Sequence, residues 1–107
     1  MKNTGTPEFQ DRVARFVAEH DLEAGVEIRL LDLLSELGEV AKEVLKGNQY
    51  GTSALVQTEA WEEELADVFF ALICLANTTG VDLNRGLEKV LEKYALRVQT
   101  RGNPGSI

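Results

Sequence analysis

Apolar residues recur along this chain at intervals of three and four, and no run alternates with the period of two that a half-buried strand would show. The pattern predicts an all-α protein of four helical segments. The first opens at Thr6-Pro7-Glu8, a capping residue with proline at the first helical position. It carries Phe9, Val13, Phe16 and Val17 before Gly25. The second runs from about Glu27 to Lys46, with Leu30, Leu33, Leu34, Leu37, Val40, Ala41 and Val44 on one stripe, an acidic opposite face and Gly47 as its stop. A turn-rich connection from Gly47 to Gln57 follows, longer than the roughly two to eight residues usual between bundle helices. The third segment is expected to begin at Thr58, with Glu59, Glu62, Glu63 and Glu64 favouring its N-terminal dipole, and to end at Gly80. Asp82 caps the fourth, which carries Leu83, Leu87, Val90, Leu91, Tyr94 and Val98 and fades at Gly102.

The third segment departs from this amphipathic rule. Of the 12 residues Leu65 to Ala76, 11 are apolar and wrap the full circumference, so the helix needs cover on most sides. Asp67 is the single polar interruption, and no lysine or arginine lies on the same helix. A carboxylate there costs on the order of several kcal/mol to desolvate unless it is paired or bound to a cation. The stretch is also well short of the ~20 residues that span a bilayer.

A length of 107 residues suits one domain, expected over 6–101 with flexible ends at 1–5 and 102–107. Lysine and arginine number 11 against 18 aspartates and glutamates, a net charge of −7, which argues against a polymeric nucleic acid or an anionic membrane as partner. The single cysteine, Cys74, excludes an internal disulfide and a cysteine-rich zinc cluster. With no apolar h-region in Met1 to Gln10, a cytoplasmic setting is expected.

The acid excess turns attention to two pairs, Glu36 and Glu39 on the second helix and Glu64 and Asp67 on the third. A spacing of three points both members of a pair the same way, and antiparallel packing of the helices would bring four carboxylates to one patch. Glutamates on the outer side of an amphipathic helix are ordinarily just solvated. Four that converge repel one another unless a cation sits among them. A di-iron bundle wants Glu-x-x-His elements, and Val17 stands three residues before the only histidine, His20. All-oxygen ligation points instead to Mg²⁺, with Mn²⁺ as a substitute, and hence to phosphate chemistry. No glycine-rich phosphate loop is present, so a nucleotide would bind through metal. Arg85, Lys89, Lys93 and Arg97 recur every four residues and could line phosphates, although such a stripe is commonly a solvated face laced by pairs with Glu88 and Glu92. Trp61 and Tyr50 are the aromatic side chains that could stack on a base, Cys74 reads as a core residue and His20 as a helix-end surface residue.

Three stretches carry a resemblance: Ser35-Glu36-Leu37-Gly38-Glu39-Val40-Ala41-Lys42-Glu43, Trp61-Glu62-Glu63-Glu64-Leu65-Ala66-Asp67-Val68-Phe69, and Leu75-Ala76-Asn77 with Gly80-Val81-Asp82-Leu83. Over roughly Phe9 to Arg101 the chain resembles the MazG-like nucleotide pyrophosphohydrolases of the all-α NTP pyrophosphatase group. The resemblance implies a bundle of four to five helices completed by homo-oligomerisation as a dimer or tetramer, with Glu36, Glu39, Glu64 and Asp67 as magnesium ligands. It implies cleavage of a (deoxy)nucleoside triphosphate between the α and β phosphates, giving the monophosphate and pyrophosphate, in clearing non-standard or excess nucleotides. Lys93 and Arg97 become candidates to contact phosphates, and Asn77 to contact substrate. Many relatives carry a further glutamate where this chain has Ser35. That leaves either Glu39 as the catalytic base or water activated at the metal without a dedicated base, and it keeps open a non-catalytic helical module that binds a nucleotide or a protein partner. The related phosphoribosyl-ATP enzymes place Tyr-His soon after the metal-binding aspartate, whereas Phe69-Phe70-Ala71 stands here.

Overall fold

The structure, a computed structural model, describes residues 6–105, so the flexible end expected at 1–5 and the last two residues of that expected at 102–107 lie outside the described residues. Four helices follow one another, α1 (Glu8–Glu19), α2 (Val26–Gly47), α3 (Trp61–Thr78) and α4 (Leu83–Arg101), with no strand among the described residues. The ends follow local chemistry. Asp82 caps α4, its carboxylate accepting from the Arg85 backbone N–H at 3.0 Å. Gly102 closes the same helix with φ of 84°, a left-handed conformation that glycine adopts without a Cβ clash.

Two starts differ from the sequence pattern. Pro7 occupies the N-cap position itself rather than the first helical turn. Helix α3 begins at Trp61, three residues after Thr58, because the Thr58 hydroxyl donates to the Glu43 carboxylate at 3.1 Å instead of capping α3. The connection between α2 and α3 folds back over the end of α2. Gln49, Tyr50 and Gly51 turn through left-handed φ values of 51°, 56° and 87°, and the Val56 N–H donates to the Gly47 carbonyl at 2.9 Å. A Cβ at Gly47 would stand 2.7 Å from both Leu55 Cδ1 and the Val56 carbonyl oxygen, so this close approach needs glycine.

Helix α3 is the centre of the fold. It supplies the buried apolar residues Ala71, Ile73, Cys74 and Ala76, packs against α2 along one side and carries α1 on another. Helix α1 is held by aromatic contacts, Phe9 to Phe69 at 5.3 Å and Phe16 edge-on to Phe70 at 6.2 Å between ring centroids. It is also held by Gln10, whose amide group is fully enclosed and fully partnered. The Gln10 amide nitrogen donates to Asn77 Oδ1 at 2.9 Å and to the Val81 carbonyl at 2.8 Å, and its Oε1 accepts from the Leu83 N–H at 2.8 Å. The Asn77 amide returns a bond to the Gln10 carbonyl at 3.1 Å. One side chain thus ties α1 to the end of α3 and satisfies an orphan donor in the first turn of α4.

The stripe expected to face the interior does so only in part within one chain, through Leu33, Val40 and Val44. Leu30, Leu34 and Leu37 on α2 are exposed, as are Leu65 and Phe69 on α3 and Leu87, Leu91, Tyr94 and Val98 on α4. The surface that α2 turns to α3 is instead Arg29, Leu33, Glu36, Val40, Glu43 and Gly47, buried or half-buried at alternating spacings of four and three. Helix α4 leaves α3 at 102° and forms no comparable interface with the other described helices. The radius of gyration is accordingly 17.1 Å, against about 13 Å for a compact chain of this length. A single chain supplies the helices of a bundle without closing it.

Replacing Gln10 by alanine strands the Val81 carbonyl and the Leu83 N–H and removes a contact of Asn77. The expected loss is about 2–3 kcal/mol, read from urea unfolding midpoints. A variant as stable as the wild type would show that water replaces the amide without cost.

Candidate functional site

Helices α2 and α3 run antiparallel, with Arg29 beside Cys74, Glu36 beside Asp67, and Glu43 bonded to the threonine ahead of α3. This pairing gathers three of the four expected carboxylates. One oxygen from each of Glu36, Glu64 and Asp67 lies within 4.8 Å of the others. Glu36 and Glu64 are half-buried, while Asp67 is exposed. The enclosure that the apolar run around Asp67 suggests is therefore not met in one chain, because the neighbouring Leu65 and Phe69 are open as well. Glu39, also exposed, stands just outside the triad and still bears on Glu64 through its charge.

Glu64 reports the electrostatics of the patch. Burial pushes its carboxyl above the ordinary value, and the negative charges of Glu43, Asp67, Glu39 and Glu36 push it further in the same direction. Among the described residues no lysine or arginine pairs with the triad, and the one ion pair nearby is Lys46 to Glu43 at 4.0 Å. A set of carboxylate oxygens this close, mutually repelling and without a protein cation, fits a hard divalent ion in donor type, charge and spacing.

The other expected site residues lie elsewhere. Asn77 is ten positions beyond Asp67 on α3, about 15 Å along the axis, with both ends of its amide engaged by Gln10. Lys93 and Arg97 sit on α4, where the ammonium and guanidinium lie 5.4 and 5.8 Å from the Tyr94 ring centroid and Arg97 Nη1 donates to the Pro104 carbonyl at 3.3 Å. Neither is gathered at the triad within one chain. Tyr50 is exposed at the loop and Trp61 is half-buried at the start of α3. Two residues that border the site have no place in the sequence pattern as read from apolar positions: Arg29, 8% exposed, and Glu43. A signal for them exists, since Arg29, Glu36 and Glu43 recur every seven residues on the face of α2 that meets α3.

Comparison with known proteins agrees with this fold. The model of the MazG nucleotide pyrophosphohydrolase domain matches residues 25–101. The chain is 39% identical over 72 residues to YpjD of Bacillus subtilis strain 168, a match covering 64% of this chain and 63% of that protein's length, which is less than two thirds of it. Among solved structures, the Bacillus-conserved MazG protein, a nucleotide pyrophosphohydrolase, superposes with a TM-score of 0.69 at 28% identity, covering 88% of this chain and 93% of that one. The crystal structure of YpjD from Bacillus subtilis superposes with a TM-score of 0.66 at 30% identity, covering 88% and 96%.

The raised Glu64 carboxyl fixes the sign of one pH effect. Above its ordinary value of 4.5 the native chain keeps a proton that the unfolded chain has released, so stability falls as the pH rises from there through the native pKa. Melting temperatures in EDTA should show this decline in the wild type relative to Glu64→Gln, in which the contribution is gone. A difference of opposite slope would contradict the arrangement of charges described.

Proposed function

This chain belongs to the MazG nucleotide pyrophosphohydrolase family, and from that premise we propose that it hydrolyses a nucleoside triphosphate between the α and β phosphates, with Mg²⁺ held by Glu36, Glu64 and Asp67. The observation that carries this reading is the convergence of those three carboxylates between two helices, where no protein cation meets them. Mn²⁺, with the same preference for oxygen, is the expected substitute. A bound divalent cation supplies positive charge against the phosphate oxygens on which negative charge builds during the displacement.

The chain's own residues have distinct tasks. Glu36, Glu64 and Asp67 fix the cation and, through it, the register of the polyphosphate. Glu39, one turn along α2 from Glu36, accepts the proton of the attacking water. The hydroxyl oxygen bonds to the α phosphorus, the α–β bridging oxygen departs with pyrophosphate, and the monophosphate keeps the nucleoside. With Ser35 where many relatives carry a carboxylate, the role of base falls to Glu39 in this reading. Lys93 and Arg97 reach phosphates from a neighbouring subunit, since α4 stands away from its own α2. The same openness supports a homo-oligomer, a dimer or tetramer in which the exposed leucines of α2 and α4 are covered. The lone, buried Cys74 suits the cytoplasm, and no single helix among the described residues is long and apolar enough to cross a membrane.

A panel of nucleoside and deoxynucleoside triphosphates incubated with Mg²⁺ should yield monophosphate plus pyrophosphate from at least one member. EDTA should abolish the yield, and Asp67→Asn, with its helicity intact, should lower it by about 100-fold or more. Release of diphosphate plus phosphate would refute the proposed bond, and tight binding without product would make the chain a nucleotide-binding module. Mg²⁺ at 100 times its dissociation constant should stabilise the wild type by about 2.7 kcal/mol, and Asp67→Asn much less. Sedimentation of the wild type at micromolar concentration should give a dimer or larger, and a monomer would leave Lys93 and Arg97 without a route to the phosphates.

A further inference from the structure

Beside the carboxylate triad lies a pocket of about 210 Å³, lined by Arg29, Asp32, Glu36, Asp67, Phe70 and Ala71. It is below the ~300 Å³ at which pockets begin to hold a whole small-molecule ligand, so it takes one end of a larger one. Arg29 is the unusual member. Its residue is only 8% exposed, yet among the described residues no carboxylate comes within 4.0 Å of it, in a chain with seven more acids than bases. Nη2 donates to the Leu22 carbonyl, and the buried Nε has no hydrogen-bond partner. A buried guanidinium without a paired carboxylate is costly, and an anion in the pocket it lines would supply the counter-charge. Asp32, Glu36 and Asp67 line the same pocket and repel a free anion, so the anion that fits arrives with a cation that Glu36 and Asp67 hold.

We propose that Arg29 is a substrate-positioning residue whose guanidinium holds a phosphate oxygen of the metal-bound nucleotide in the pocket beside the acidic triad. The assignment rests on the nucleotide reading above and adds to it a contact from the chain's own α2, independent of any neighbouring subunit.

The test is equilibrium binding by calorimetry of α,β-methylene (deoxy)nucleoside triphosphates in Mg²⁺, which bind without turnover, to the wild type, Arg29→Met and Arg29→Lys. Helicity and the Mg²⁺-induced rise in melting temperature are followed in each. The expected result is about a tenfold or greater loss of nucleotide affinity in Arg29→Met and a smaller loss in Arg29→Lys, which keeps the charge without the planar fork. The Mg²⁺-induced rise should be retained in both. Should Arg29→Met fail to fold, the lysine variant decides. Unchanged nucleotide affinity in a folded variant overturns the assignment and leaves Arg29 as a tether to Leu22. Loss of the Mg²⁺ response together with the nucleotide also overturns it, because the residue would then act through the acids. A wild type that binds no nucleotide overturns both this assignment and the function on which it rests. Nucleoside monophosphate and pyrophosphate as separate probes identify the half of the substrate that Arg29 touches, as the one whose affinity falls in the variants.

Discussion

The seam between α2 and α3 sets the character of this molecule. Where two antiparallel helices meet, the repeating contact positions ordinarily carry apolar side chains. Here one set of those positions on α2 is Arg29, Glu36 and Glu43, alternating with Leu33, Val40 and Gly47. Burying charge between helices sacrifices packing energy, and the chain partly offsets it locally: Thr58 bonds to Glu43, Lys46 pairs with it, and Leu22 accepts from Arg29. Among the described residues no lysine or arginine pairs with Glu36, Glu64 and Asp67, which leaves their repulsion available to be relieved by a cation. The seam is where stability is exchanged for binding capacity.

The two ends of α3 are built for different purposes. Toward its C-terminus lie Ala71, Ile73, Cys74 and Ala76, the enclosed residues, and the Gln10–Asn77 exchange that locks α1 and the start of α4 in place. Every polar group at that junction is matched. Toward its N-terminus, Glu64 and Asp67 face α2 across a groove that solvent reaches, with the long connection from Asn48 to Ala60 folded beside it. A rigid end thus anchors an open one, so the carboxylates project from regular helices rather than from a loop, and their spacing is fixed by backbone hydrogen bonds.

Openness also governs what one copy can do. Helix α4 is extended, and leucine surfaces on α2 and α4 are uncovered. The cations on α4 sit away from their own acidic patch, whereas Arg29 lies beside it. The positive charge therefore separates into Arg29, which lines the pocket beside the acidic patch, and the cations of α4, which stand away from it.

The sequence by itself determined the four helices, the stops of α2 at Gly47 and of α4 at Gly102, the cap at Asp82 and the pairing of carboxylates at spacings of three, because these depend on neighbours a few positions away. The resemblance in the Glu-x-x-Glu and Glu-x-x-Asp stretches likewise needed only linear order. Tertiary structure alone decided which face of α2 meets α3. The apolar stripe from Leu30 to Val44 reads as the inner surface, yet only Leu33, Val40 and Val44 turn inward, together with Arg29, Glu36 and Glu43, while Leu30, Leu34 and Leu37 stay outside, since apolar periodicity marks a surface that will be buried without saying by which partner. The late start of α3, the engagement of Asn77 by Gln10, the exposure of Asp67 and the unpaired burial of Arg29 share that origin. Each is set by a contact between residues distant in sequence, and no local pattern encodes the rotation of one helix about its axis relative to another.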